Sequence, residues 1–286
     1  MKRAVLVLAL SLVVGAVTGS SGQVYTSGQD IVPVFEGWEQ NRDGTFDLVF
    51  GYMNRNREQE LYIAVGPDNN LDFKPSGDAG QPTHFYARRQ KYVFKVTVPK
   101  DWGKKDVVWT LKANGKTEKA YGSLLPVEII DDQVYSMNRS GGGAPDRPNL
   151  PPTLKVLNPD QLTASLGTPL TLTVAVSDDG VPSPRPAPSS RPPGRHNALG
   201  LRTTWIHYRG QGTVTFDPWI SLGYDDHVVG WTVPKLPPDG NVVTHATFSE
   251  PGTYVLRAIA DDGYLFTVHD VTVTVTGGTT GENAGR

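Results

Sequence analysis

Apolar and polar residues alternate with a period of two over much of the chain. Phe46, Leu48, Phe50 and Tyr52 are spaced by Asp47, Val49 and Gly51; Tyr92, Phe94, Val96 and Val98 by Val93, Lys95 and Thr97. Val107, Trp109 and Leu111 repeat the pattern. Further on, Leu170, Leu172, Val174 and Val176 alternate with Thr171, Thr173 and Ala175. Val214 and Phe216, then Tyr254, Leu256, Ala258 and Ala260, then Val271, Val273 and Val275 complete the set. A period of two places each series on one face of a strand, where it is buried together. Turn signals separate the runs: Asn41-Arg42-Asp43-Gly44, Gly66 to Asn70, and Asn114-Gly115, which accepts the positive φ of a tight hairpin. No amphipathic helix of useful length competes with them. The pattern predicts an all-β protein of two β-sandwich domains in tandem.

The segment Arg139–Pro152, RSGGGAPDRPNLPP, has no periodicity and little to bury. It places a linker over residues 132–150, an N-terminal domain over 24–131 and a C-terminal domain over 151–276, and it predicts semi-independent domains. Val181–Ala198, VPSPRPAPSSRPPGRHNA, reads as an extended Pro/Arg-rich insertion, 181–198. Residues 277–286 read as a disordered tail.

Lys2 and Arg3 precede an apolar stretch from Ala4 to Val17, and small residues follow at Gly19, Ser20, Ser21 and Gly22. This is the pattern of an export signal over residues 1–22, cleaved between Ala16 and Gln23. The stretch is shorter than the roughly 20 residues that cross a bilayer, and no later segment is apolar enough to span. The expected location is periplasmic or extracellular.

Composition narrows the chemistry. The 286 residues carry 27 Lys and Arg against 29 Asp and Glu, so no basic field awaits a nucleic acid. The absence of cysteine removes disulfides, thiolate catalysis and Cys-ligated zinc. The six histidines, His84, His196, His207, His227, His245 and His269, have no zinc spacing. No nucleophile elbow or phosphate-binding loop occurs, so no catalytic residue and no cofactor is assigned.

One constellation stands out. Asp178-Asp179-Gly180 ends one strand of the second domain, and Asp261-Asp262-Gly263 ends another. In an immunoglobulin-like sandwich these ends lie together. Three readings stay open. The Asp-Gly pairs make turns in which the carboxylates accept backbone N–H bonds; or Asp178, Asp179, Asp261 and Asp262 hold Ca²⁺; or Arg185, Arg191 or Arg195 neutralises them.

Several segments carry a resemblance. They are Gly167-Thr168-Pro169-Leu170-Thr171-Leu172, Val176-Ser177-Asp178-Asp179-Gly180, Leu201-Arg202-Thr203-Thr204-Trp205, Gly212-Thr213-Val214-Thr215-Phe216, Ala246-Thr247-Phe248, Pro251 to Leu256 and Ala260-Asp261-Asp262-Gly263. In this order they resemble the PKD-like modules of exported bacterial proteins. The resemblance implies a sandwich with Trp205 as its central core aromatic. Leu172 and Leu256 take the places where immunoglobulin domains often carry a disulfide, and Tyr254 takes that of the tyrosine corner. The first domain resembles an unassigned N-terminal module of exported bacterial proteins, through Phe50 to Asn56, Gly80-Gln81-Pro82-Thr83-His84-Phe85 and Val98 to Gly103.

These readings imply a non-catalytic interaction protein for adhesion, scaffolding or accessory recognition, with a protein or glycan ligand. A carbohydrate-binding accessory protein or a secreted hydrolase is the alternative.

Overall fold

The computed structural model describes residues 25–139, 147–184, 199–218 and 236–277. The export signal, Arg185, Arg191 and Arg195 with most of the Pro/Arg-rich insertion, and all but the first residue of the tail lie outside the described residues. The protein is all-β apart from one short helix and a single 3-10 turn among those residues.

In the first domain, β1 (Ile31–Gln40), β2 (Phe46–Asn54) and β6 (Arg88–Val98) form one antiparallel sheet. It faces a second sheet of β4 (Asn69–Leu71), β7 (Val107–Ala113) and β8 (Lys116–Gly122). Short strands β3 (Leu61–Tyr62) and β5 (His84–Phe85) pair beside them. Leu48, Phe50, Phe94, Val96 and Val98 meet Val107, Trp109 and Leu111 in the core. The β7–β8 hairpin turns at Asn114 and Gly115, with φ of +47° and +78°, as the dipeptide requires.

Two residues depart from the alternation. Tyr92 does not join Phe94: it lies at φ +53°, at the irregularity where β6 slips against β2. The bulge turns its side chain to the opposite face. Gly51 lies opposite, and a Cβ there would stand 2.4 Å from the carbonyl oxygen of Gln90. Val49, on the expected polar face of β2, is fully buried. That face is covered, as shown below.

The second domain packs β9 (Thr153–Val156), β11 (Leu170–Ser177), β13 (Val214–Asp217) and β14 (Asn241–Phe248) against β10 (Gln161–Ser165), β12 (Arg202–Arg209), β15 (Gly252–Asp261) and β16 (Phe266–Thr276). The sheet orders are β13-β14-β11-β9 and β10-β16-β15-β12. The chain crosses between sheets from β9 to β10, and β10 pairs parallel with β16. This is the immunoglobulin-like arrangement of two facing sheets. Leu172, Trp205, Tyr254 and Leu256 lie in its core, each no more than 2% exposed. The Tyr254 hydroxyl donates to the Glu250 carbonyl at 2.8 Å, the geometry of a tyrosine corner.

The segment expected to be a linker contains a helix, α1 (Asp132–Arg139), started by Asp131, whose carboxylate accepts the Val134 N–H at 2.8 Å. At eight residues it is too short to persist alone. Tyr135 fastens it, in a cluster with Val49, Tyr92 and Ile130 from the first domain and Leu199, Tyr264 and Leu265 from the second.

The two domains, expected to be semi-independent, meet in direct contact. Beside that cluster, β12 docks directly on the first domain. Tyr208 enters the first domain's core, and its hydroxyl donates to the Gly80 carbonyl at 2.5 Å. The Thr83 N–H donates to the Tyr208 carbonyl at 3.2 Å. Arg209 forms a two-pronged ion pair with Asp78 at 2.8 and 3.1 Å. Arg257 lies 3.5 Å over the Tyr208 ring, pairs with Asp270 and donates to the Val93 carbonyl. Gly210, at φ +126°, closes the seam: a Cβ there would stand 2.5 Å from the Tyr254 ring.

Trp205 tests the second core. Its indole N–H has no partner, so packing alone holds the ring. Trp205→Ala is expected to lower stability by about 3–5 kcal/mol, measured by denaturant unfolding. An unchanged midpoint would place the ring outside the core.

Candidate functional site

Two places could carry function, the acidic end of the second domain and a ledge on the first. The acidic end gathers the residues that the sequence singled out. Strand pairing sets Arg202 of β12 directly opposite Asp261 of β15. Its guanidinium lies 2.6 Å from Asp261 Oδ1, and both side chains are buried. Asp261 also accepts the Gly263 N–H at 2.7 Å. Asp262 accepts the Tyr264 and Leu265 N–H groups at 2.5 and 2.8 Å, and the Asn149 amide at 3.0 Å. Asp179 accepts from Val181 and Leu150 at 2.8 and 3.2 Å, and Asp178 from Gly180 at 2.9 Å.

Asp178, Asp179, Asp261 and Asp262 thus lie at one end, but they are turned to backbone donors and to Arg202. Among the described residues, no group of three or more His, Cys, Asp and Glu side chains is arranged to hold a metal ion. One oxygen of Asp178 accepts the Gly180 N–H, while its Oδ1 is buried with no hydrogen-bond partner. Arg202 and Asn149, which pattern reading passes over, complete the cluster. Only the register of β12 on β15 reveals Arg202. The end has a mechanical role: it fixes the turn that carries Tyr264 and Leu265 into the cluster between the domains.

Its electrostatics follow from burial. Burial and the nearby Asp262 push the Asp261 carboxyl well upward. Burial draws Arg202 down to about 10, against the opposing pull of Asp262, so it stays charged at neutral pH. Asp178 is raised to about 6 by desolvation and by Asp262 and Asp179.

The ledge follows β8, in the run Leu124-Leu125-Pro126-Val127-Glu128-Ile129-Ile130. Residues 126–128 form the 3-10 turn. Val127 is 91% exposed, Leu125 55%, Ile129 48% and Tyr121 56%. The turn is nevertheless tied down. The Trp38 indole N–H donates to the Leu125 carbonyl at 2.8 Å, and the Ile130 N–H to the Trp38 carbonyl at 2.8 Å. Ser123 donates to Glu128 at 2.6 Å. Beside it runs an open groove of about 540 Å³, walled by Lys104, Asp106, Tyr121, Leu124, Leu125 and Glu128. The apolar run is visible in the sequence; its exposure is not, because the same letters read as a buried edge.

No family model matches the chain, and no curated protein does. Solved structures of β-sandwich modules are similar to it. The PKD domain of an M14-like peptidase from a Thermoplasmatales archaeon is 20% identical, covering 46% of this chain and 98% of that one at a TM-score of 0.25. Fibronectin(III)-like modules of Clostridium thermocellum CbhA are 9% identical over 90% of this chain and 100% of that one, at 0.26. The Yersinia pseudotuberculosis adhesin InvE is 13% identical over 88% and 61%, at 0.25.

Two outcomes are expected at the acidic end. Added calcium should leave the unfolding midpoint in place, whereas Arg202→Ala should cost about 3–5 kcal/mol by removing one partner of a buried pair. A calcium-dependent rise that Asp261→Ala abolishes would contradict this. For Asp178 the sign is reversed from a normal paired acid. Its folded pKa of about 6 exceeds the ordinary 3.8, so the folded state holds its proton longer and loses stability as pH rises from about 4 to 6. The group is partly exposed, which reduces the effect to about 1 kcal/mol. Asp178→Asn should therefore stabilise the protein at pH 7 by about that amount and change nothing near pH 3; destabilisation at pH 7 would refute the reading.

Proposed function

We propose that the chain is an exported, non-catalytic interaction protein whose second domain is a PKD-type module, and that the ledge at Leu125–Ile129 is where it grips a protein partner. The observation that carries this is an apolar turn held in water by fixed hydrogen bonds. A flexible apolar segment would collapse onto the nearest core. This one is pinned by Trp38 at both ends and cannot, so its exposure is built in. Exposed apolar patches rimmed by polar groups mark interaction sites, and a pre-ordered turn loses little entropy on binding. Lys104, Asp106 and Glu128 supply the polar rim. Export rests on the N-terminal signal pattern.

A glycan ligand is the second reading, and Tyr121, exposed at the groove wall, favours it. The aromatics more than 40% exposed among the described residues are Tyr25, Tyr62 and Tyr121, on three separate segments, which supplies less stacking surface than the ledge supplies apolar surface.

The test replaces Val127 with a photo-crosslinking side chain in the exported protein. Discrete crosslinks to another protein are expected, reduced at least tenfold by Leu125→Asp with no change in the unfolding midpoint, since exposed substitutions usually shift stability by less than about 0.5 kcal/mol. Crosslinking that ignores Leu125→Asp, or binding to a glycan array lost with Tyr121→Ala alone, would defeat the protein-partner reading.

A further inference from the structure

The seam between the domains holds a buried histidine that neither the ledge nor the acidic end uses. His207 lies on β12, one residue before Tyr208, and is 1% exposed. Its backbone N–H donates to the Tyr86 hydroxyl of the first domain at 2.8 Å. Its ring stacks on His84 of the first domain, with centroids 4.3 Å apart and planes 23° apart. Neither of its ring nitrogens has a hydrogen-bond partner.

We infer that this seam is a pH-sensitive joint: His207 as a neutral ring lets the two domains dock, and its protonation drives them apart. The inference does not depend on the ledge.

No side chain around His207 offers a proton on its ring a counter-charge. From β5, His84 presents a second imidazole, and its Nε2 engages the Glu60 carboxylate at 2.8 Å. That pairing commits Glu60 to the other ring. Tyr86 faces His207 from the first domain and Tyr254 from β15, with its ring 5.5 Å away. Burial raises both phenols, so they stay neutral. On its own strand, Arg209 is turned to Asp78. A cation at His207 would meet the His84 ring and two neutral phenols in a dry contact, where an unpaired charge is most costly.

Desolvation first, then His84, lowers His207 from the ordinary 6.5 to about 3, and the backbone of Arg209 and Gly210 offsets only part of this. The sign follows. In an opened joint His207 is hydrated and takes its proton as pH falls through 6.5, while the docked ring refuses it until about pH 3. Between these limits the open state binds one more proton, so docking weakens by up to about tenfold per pH unit. Arg209 holds Asp78 beneath its usual 3.8, so the Asp78–Arg209 pair stays ionised at pH 4.5 and above.

The experiment is hydrogen exchange on the full mature chain at pH 7.5, 6 and 4.5, corrected for intrinsic exchange. The Thr83 and Gly210 amides report the seam, because they donate across it to the Tyr208 carbonyl and the Thr83 hydroxyl. The Leu256 amide, central in β15, reports the second domain's core. The opening constant at Thr83 and Gly210 should rise about a hundredfold from pH 7.5 to 4.5, with Leu256 still protected. His207→Phe, which keeps a stacked ring and takes no proton, should flatten this dependence. A flat profile in the native chain, or an undiminished one in His207→Phe, would overturn the inference. Should that variant not fold, ring-nitrogen NMR of native His207 decides. Protonation in step with loss of seam protection supports the joint; titration near pH 6.5 with the seam still protected overturns it.

Discussion

The docking of β12 on the first domain is the constraint from which the rest follows. An edge strand with free backbone groups invites pairing with other chains. Here that edge is covered by the segment from Gly80 to Tyr86, which takes hydrogen bonds from Tyr208 and His207 and donates one from Thr83. Tyr208 contributes to a core that is not its own domain's. Two sandwiches that would each be soluble units thus share one side chain, two guanidinium clamps and a second apolar cluster around Tyr135. Charge and burial cooperate: Arg257 covers the Tyr208 ring and is itself neutralised by Asp270.

The acidic end belongs to this joint. Its carboxylates are spent on the turn from Asp261 to Leu265, which holds Tyr264 and Leu265 where α1 and β2 can bury them. Locking the domains also orients the ledge. Ile130, directly after it, is buried in the interdomain cluster, while Ile129 and Val127 stay in water. The exposed apolar turn is therefore anchored, through Ile130, beside the contact that joins the domains.

Much of this was legible in the sequence where a single face is buried. Leu172, Val174 and Val176 alternate cleanly because the outer side of their sheet faces water. Alternation misleads where both faces are covered or the backbone turns. Val49 sits on the nominally polar face and is buried in the cluster between the domains, and Tyr92 is flipped by its own left-handed backbone, which no periodicity encodes. The helix at Asp132 escaped notice because eight residues rarely declare themselves, though Asp131 before it is a proper cap. The acidic end was legible as a place and not as chemistry, since Arg202 meets Asp261 only through strand register. The seam left no mark in the pattern: Tyr208, Arg209 and His207 read as the end of an ordinary strand.

Calorimetric unfolding of the mature chain at pH 7.5 tests the shared-core joint most directly. Domains that hold Tyr208 and the Tyr135 cluster in common should melt together, in one transition whose calorimetric and van't Hoff enthalpies agree. Two separate transitions, each with the enthalpy of a single sandwich, would show that the domains stand alone and that the seam binds nothing together.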